Sequence, residues 1–159
     1  MNKIIKIIFI IYLTILFITL IRFEAIGSLK NNIIDMVPFN DYVLYPNVRD
    51  VFQNIFGNII IFMPFGMYLS LISMKEHTIR YLPLIVLSSL TIEMFQFLLK
   101  SGYADIDDII FNSIGGLLGI LLTDLFYHIS PKWTIRFILS ISFLFGIPVI
   151  LIFIKYYII

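Results

Sequence analysis

Most side chains in this sequence that could do chemistry are carboxylates and amides, and three sets of them have helical spacing. Asn54 and Asn58 are four residues apart, Glu93 and Gln96 three apart, and Asp108 and Asn112 four apart, just after Asp105 and Asp107. Residues three or four apart share a helix face, so each set presents oxygens and amide nitrogens in one direction. Such groups hold a polar ligand by hydrogen bonds, bind a hard cation, or move protons as an acid and base pair. Glu93, Asp105 and Asp108 are the candidates for proton transfer. Asn54, Asn58, Glu93, Gln96, Asp105, Asp108 and Asn112 form the candidate ligand-binding set, with Arg22 or Arg49 nearby.

Other chemistries find little support. There is no Cys, and His77 and His128 are the only imidazoles, so thiol nucleophiles, disulfides and Cys-based zinc sites are excluded. Phosphate loops of the Walker type, G-x-S-x-G elbows and H-E-x-x-H helices are missing. The acidic run Asp105 to Asp108 has too few ligands for a calcium loop and no His for a transition metal. Negative charge there also suits a helix N-terminus. Neither a metal nor another cofactor is expected. A formal net charge of +1, with Phe and Tyr interleaved with Ile rather than Lys or Arg, argues against nucleic acid as a partner.

The elements that must position these groups are apolar. Of 159 residues, 60% are hydrophobic and 13% charged, and the mean hydropathy is +1.03. A chain this short has too much surface for its volume to bury so many apolar side chains, so lipid must cover the excess. Five stretches, Ile4–Ile21, Ile55–Met74, Tyr81–Leu99, Ile109–Phe126 and Phe137–Ile154, approach or reach the roughly 20 residues that cross about 30 Å of hydrocarbon. This predicts an all-α integral membrane protein, a single domain over 1–159 built as a bundle of about five transmembrane helices. Short connections make successive helices antiparallel, and only Arg22 to Asn54 is long. The first stretch reads as a retained anchor, since no small-residue cleavage site follows it.

With the N-terminus cytoplasmic and the C-terminus outside, Lys3, Lys6, Lys75, Arg80, Lys132 and Arg136 fall inside, and Arg22, Lys30, Arg49, Lys100 and Lys155 outside. The acids Glu24, Asp35, Asp41, Asp50, Asp105, Asp107 and Asp108 then face out. The three polar sets share one depth in the outer part of the membrane, as a pocket open to the outer leaflet. The long connection suits an interfacial loop or a re-entrant segment, with Tyr42 and Tyr45 at headgroup level.

Packing is the competing account of these residues. Amides between helices act as glue worth roughly 0.6 to 2 kcal/mol each. Glu93 fits that account poorly, because a carboxylate at such depth costs on the order of 3 kcal/mol and a Gln would bond as well. Gly115 and Gly119, with Gly116, have the small-xxx-small spacing of a close helix contact, with another helix of this chain or with a second copy in a homo-oligomer. Pro64, followed by Gly66, should kink the second helix and free a carbonyl.

Four segments in order resemble the VanZ-like family of small bacterial membrane proteins. They are Met36-Val37-Pro38-Phe39; Asn54 and Asn58 through Phe62-Met63-Pro64-Phe65-Gly66; Ser89 to Gln96 with Glu93; and Asp105-Ile106-Asp107-Asp108 with Asn112, Gly115-Gly116 and Gly119. Together they cover about residues 33–122, flanked by helices at about 4–21 and 137–154. Where many members carry an Arg shortly before the acidic run, this chain has Lys100-Ser101-Gly102-Tyr103. The resemblance implies a multi-pass protein of the bacterial cell membrane that lowers susceptibility to glycopeptide and lipoglycopeptide antibiotics of the teicoplanin type. Its partners would be membrane lipids and a lipid-linked cell-wall precursor or the drug. A non-enzymatic binding or shielding role is favoured. A membrane enzyme acting on a phospholipid or wall precursor, and a small transporter component, are the alternatives.

Overall fold

A computed structural model of the chain describes residues 3–21, 26–27, 34–40, 47–73 and 78–157. Arg22, Tyr42, Tyr45 and His77 lie outside the described residues. Among the described residues five long helices follow in order: α1 Lys3–Ile21, α2 Val48–Ser73, α3 Leu82–Leu99, α4 Ile106–Ile129 and α5 Pro131–Tyr157. A 3-10 turn, Thr78–Tyr81, leads into α3, whose Pro83 stands in the first turn, where a missing N–H has no helical partner to lose. Each of the five expected apolar stretches is helical over its described residues, with Tyr81 in the 3-10 turn. Helices α2, α4 and α5 extend past their apolar stretches because hydropathy marks the hydrocarbon depth, whereas backbone bonding continues into polar ends such as Asp107 and Asp108.

Four segments, Lys3–Ile21, Val51–Ile72, Ile79–Leu99 and Ile106–Ile129, are long and apolar enough to cross a membrane. Their outward faces fit that solvent. Leu87, Leu90, Met94 and Leu98 form an exposed stripe on α3, and Ile114, Leu118, Leu121 and Leu125 another on α4. The inward face of α3 carries Ser89, Glu93 and Gln96, all buried. Apolar outside and polar inside is the reverse of a water-soluble helix and suits a bundle in lipid.

The centre is the close contact of α2 with α4. A Cβ on Gly115 would fall within 3.0 Å of the Ile59 backbone, one on Gly119 within 3.0 Å of the Met63 carbonyl, and one on Gly66 within 3.0 Å of the Gly116 backbone. The glycine face is therefore filled by α2 of the same chain. Phe62, Phe65, Met67, Tyr68, Ile85, Ile120 and Ile138 complete the core. Helix α1 closes one side: Phe9 packs on Tyr68 at 4.9 Å between ring centroids, and the Tyr12 hydroxyl donates to the Ile61 carbonyl. That bond falls beside Pro64, which has no N–H to offer the Ile60 carbonyl.

A feature absent from the sequence reading is a two-residue parallel pairing. Strand β1, Ile34–Asp35, lies beside β2, Ala104–Asp105, with Ile34 opposite Ala104 and Asp35 opposite Asp105. It ties part of the long connection to the start of α4.

Candidate functional site

The C-terminal ends of α1 and α3 and the N-terminal ends of α2 and α4 meet at one end of the bundle. The last carbonyls of α1 have no helical partners and are met from α3 and its flank. Gln96 Nε2 donates to the Leu20 carbonyl at 2.6 Å, and the Ser101 hydroxyl to the Ile21 carbonyl at 2.6 Å. Gln96 thus spends its amide nitrogen on holding α1. Lys100, in the left-handed region at φ 53°, closes α3 and turns the chain toward β2.

Helix α4 begins at Asp105, whose carboxylate accepts from the Asp107 N–H at 2.8 Å, the capping arrangement that a short acidic side chain provides. The Asp105 N–H in turn donates to Glu93 Oε2 at 3.1 Å. Glu93 is only 4% exposed, so a buried carboxylate of α3 anchors the start of α4.

On the other side of α4, Asn58 Nδ2 bridges Asn54 Oδ1 at 2.9 Å and Asp108 Oδ1 at 2.6 Å. One turn below Asp108, the fully buried Asn112 gives its Nδ2 to Ser89 Oγ at 2.9 Å, while its Oδ1 has no hydrogen-bond partner among the described residues.

The structure thus brings six of the seven candidates onto two connected faces: Asn54, Asn58 and Asp108 in one chain of bonds, Glu93 and Asp105 in another, and Asn112 beneath them. Gln96 serves α1. The Arg49 side chain is exposed. Among the described residues no three His or acidic side chains are grouped to hold a metal ion.

Three acids, Asp107, Asp35 and Asp124, gain a role that the sequence did not reveal. Asp107 is buried, and both its oxygens accept from the Phe39 N–H, at 3.1 and 2.9 Å. Phe39 has φ 62°, the left-handed region that a bulky residue enters only under compensation. Its compensations are the Asp107 bond and an edge contact with Phe111 at 6.2 Å. Asp35 shapes the same turn, accepting from the Val37 N–H at 2.9 Å and from Asn40 Nδ2 at 3.3 Å. The only sequence signal for these contacts was the density of acids around Asp105. Asp124, at the opposite end of α4, accepts from the Ser70 hydroxyl; it stands alone within an apolar stretch, where no polar spacing marks it.

Burial pushes the Asp105 carboxyl up to about 6; the Asp107 N–H opposes this, and the charges of Asp108, Asp107 and Asp35 add to it. A carboxyl harder to ionise when folded than when unfolded stabilises the fold at low pH. That contribution is lost as pH rises from about 4 toward 6. Asp105→Asn keeps a good cap and removes the charge. It should therefore melt higher than wild type at pH 7.5, by on the order of 1 kcal/mol once solvent screening is allowed for. The difference should shrink as pH falls through 6 and vanish below about pH 4. Parallel melting curves for the two proteins at both pH values would refute this.

A helical bundle coated in apolar side chains, with carboxylates and amides gathered inside one end, defines a membrane protein with a polar site at the mouth of its bundle. This chain belongs to the VanZ/LLP1 family, whose sequence profile matches residues 4–127. It is 38% identical over 97 residues to protein VanZ of Enterococcus faecium, an alignment covering 58% of each chain. The match thus spans little more than half the length of that curated relative. No solved structure matches the chain.

Proposed function

We propose that this is a multi-pass protein of the bacterial cell membrane that lowers susceptibility to teicoplanin-type antibiotics. It does so by holding or shielding a lipid-linked ligand, or the drug, at the outer leaflet. Family membership supports the phenotype. The observation that carries the mechanism is the buried Glu93 carboxylate, joined to Asp105 at the same end as the Asn58–Asp108 bridge. The Lys and Arg pattern supports an outward orientation of that end, where a lipid-tailed drug or a wall precursor is met.

The test is drug susceptibility in a matched pair of host strains, with and without the protein. The expected result is at least about a fourfold rise in the inhibitory concentration of the lipid-tailed drug, about 0.8 kcal/mol in effective occupancy, and little change for vancomycin. Equal values in both strains would rule the reading out. One observation favours a membrane enzyme instead: Asp105, whose carboxyl burial pushes up to about 6, stands near other carboxylates as an acid and base pair requires. Envelope lipids and muropeptides identical with and without the protein would eliminate it.

A further inference from the structure

The end of the bundle opposite the candidate site is basic. It holds the start of α1, the end of α2, the 3-10 turn, the end of α4 and the start of α5. In sequence it carries six basic side chains, Lys3, Lys6, Lys75, Arg80, Lys132 and Arg136, against two carboxylates, Glu76 and Asp124. However these pair, positive charge is in surplus. Asp124 meets Ser70 of α2, and α5 has no acid in its first turn.

Part of that surplus stands on one exposed face of α5. Lys132 and Arg136 are exposed and four residues apart, so two like charges share a helix face and repel. An anion between them turns that repulsion into two attractions. Arg136 lies over the ring of Trp133, with the guanidinium carbon 5.5 Å from the ring centroid. Trp133 is 70% exposed, and an indole so placed suits the headgroup layer of a bilayer. A guanidinium stacked on a ring keeps its N–H edges for hydrogen bonds, the fork that takes a phosphate through two of them.

Beyond these cations the same face turns apolar. Phe137, Phe143 and Leu144 are all exposed, and Trp133, Phe137 and Leu144 follow one another at helical spacing. The eight residues from Arg136 to Leu144 span about 12 Å of helix. Phosphate-binding groups at the head of an apolar strip are the complement of a phospholipid. A soluble anion would leave the strip uncovered, and a zwitterionic lipid would bring its own cation against Lys132 and Arg136.

We propose that this face of α5 is a binding site for an anionic phospholipid, with its phosphate between Lys132 and Arg136 and an acyl chain along Phe137 and Leu144. The site is separate from the polar end of the bundle and does not depend on what that end binds.

Trp133 is the one Trp of the sequence, so its fluorescence reports which lipid stands beside it. The full chain is reconstituted in phosphatidylcholine brominated on its acyl chains, which quenches an adjacent indole, and unbrominated lipids are added as competitors. Phosphatidylglycerol is expected to restore the fluorescence about fivefold more effectively than unbrominated phosphatidylcholine, about 1 kcal/mol and near what one basic side chain contributes at a charged lipid surface. Phosphatidylethanolamine should match phosphatidylcholine. Equal competition by phosphatidylglycerol and phosphatidylcholine overturns the proposal, and this comparison needs no variant. The double substitution Lys132→Gln with Arg136→Gln, at two exposed positions, should reduce the preference below about twofold; a preference that survives it intact places the lipid elsewhere and also overturns the proposal. Water-soluble glycerophosphoglycerol at about 10 mM should leave the preference unchanged, because it lacks the acyl chain. Loss of the preference in its presence would mean that the face binds a free anion rather than a lipid.

Discussion

Glu93→Gln is expected to reduce protection against a teicoplanin-type drug to the level of the strain lacking the protein, with membrane abundance unchanged. The physical reason is that the substitution separates charge from architecture. Glu93 Oε2 accepts the Asp105 N–H at 3.1 Å, and the side-chain carbonyl of Gln can accept the same bond at nearly the same volume. The start of α4 therefore keeps its anchor, and only the negative charge goes. A carboxylate costs on the order of 3 kcal/mol to place at membrane depth. If architecture were its whole purpose, the Gln variant would be the more stable protein and no less active. Inhibitory concentrations in matched strains, read beside an immunoblot of the membrane fraction, decide the matter. A variant that is equally abundant and fully protective would show that the charge has no function.

The largest effect on stability is expected at the contact between α2 and α4. A Cβ on Gly119 would meet the Met63 carbonyl inside 3.0 Å and the Met67 nitrogen at 2.9 Å, and one on Gly115 would meet the Ile59 backbone inside 3.0 Å. These neighbours are backbone atoms of a helix that is itself packed on both sides, so no side chain can swing away to make room. Overpacking ordinarily costs about 1–3 kcal/mol and occasionally more. Gly119→Ala should fall at the upper end of that range, and Gly119→Leu should leave little folded protein. Gly57 is the control. It lies in the same helix as Met63, yet a Cβ there would meet nothing within 4 Å. Gly57→Ala should be neutral or gain about 0.5–1 kcal/mol from the better helix former. Melting temperatures of the purified variants in one detergent test the contrast; equal values for Gly57→Ala and Gly119→Ala would mean that the two helices do not meet through this face.

The same contact shows what the glycine pattern could and could not say. Spacing alone made Gly115 and Gly119 a close-approach surface, for another helix or for a second copy. Only the packed chain shows α2 occupying it. Gln96 is a parallel case: its face and depth matched those of Glu93, yet it turns to the Leu20 carbonyl, because the end of α1 leaves carbonyls without partners and the nearest amide meets them.

By itself the sequence determined the apolar surroundings, the order of the long helices among the described residues, and which polar residues share a helix face. Each of these follows from local quantities: the length of an apolar run against the thickness of a bilayer, and the helical repeat that puts Asn54 with Asn58, and Asp108 with Asn112, on one face. The tertiary structure decided which faces meet. The pairing of Asp35 with Asp105, the Asp107 anchor of Phe39, the bridge from Asn58 to Asp108 and the burial of Asn112 against Ser89 join residues 23 to 70 positions apart. No local periodicity encodes such contacts, because they arise only when close packing of α2 on α4, and of α3 beside them, leaves buried polar groups that must find partners within the protein rather than in lipid.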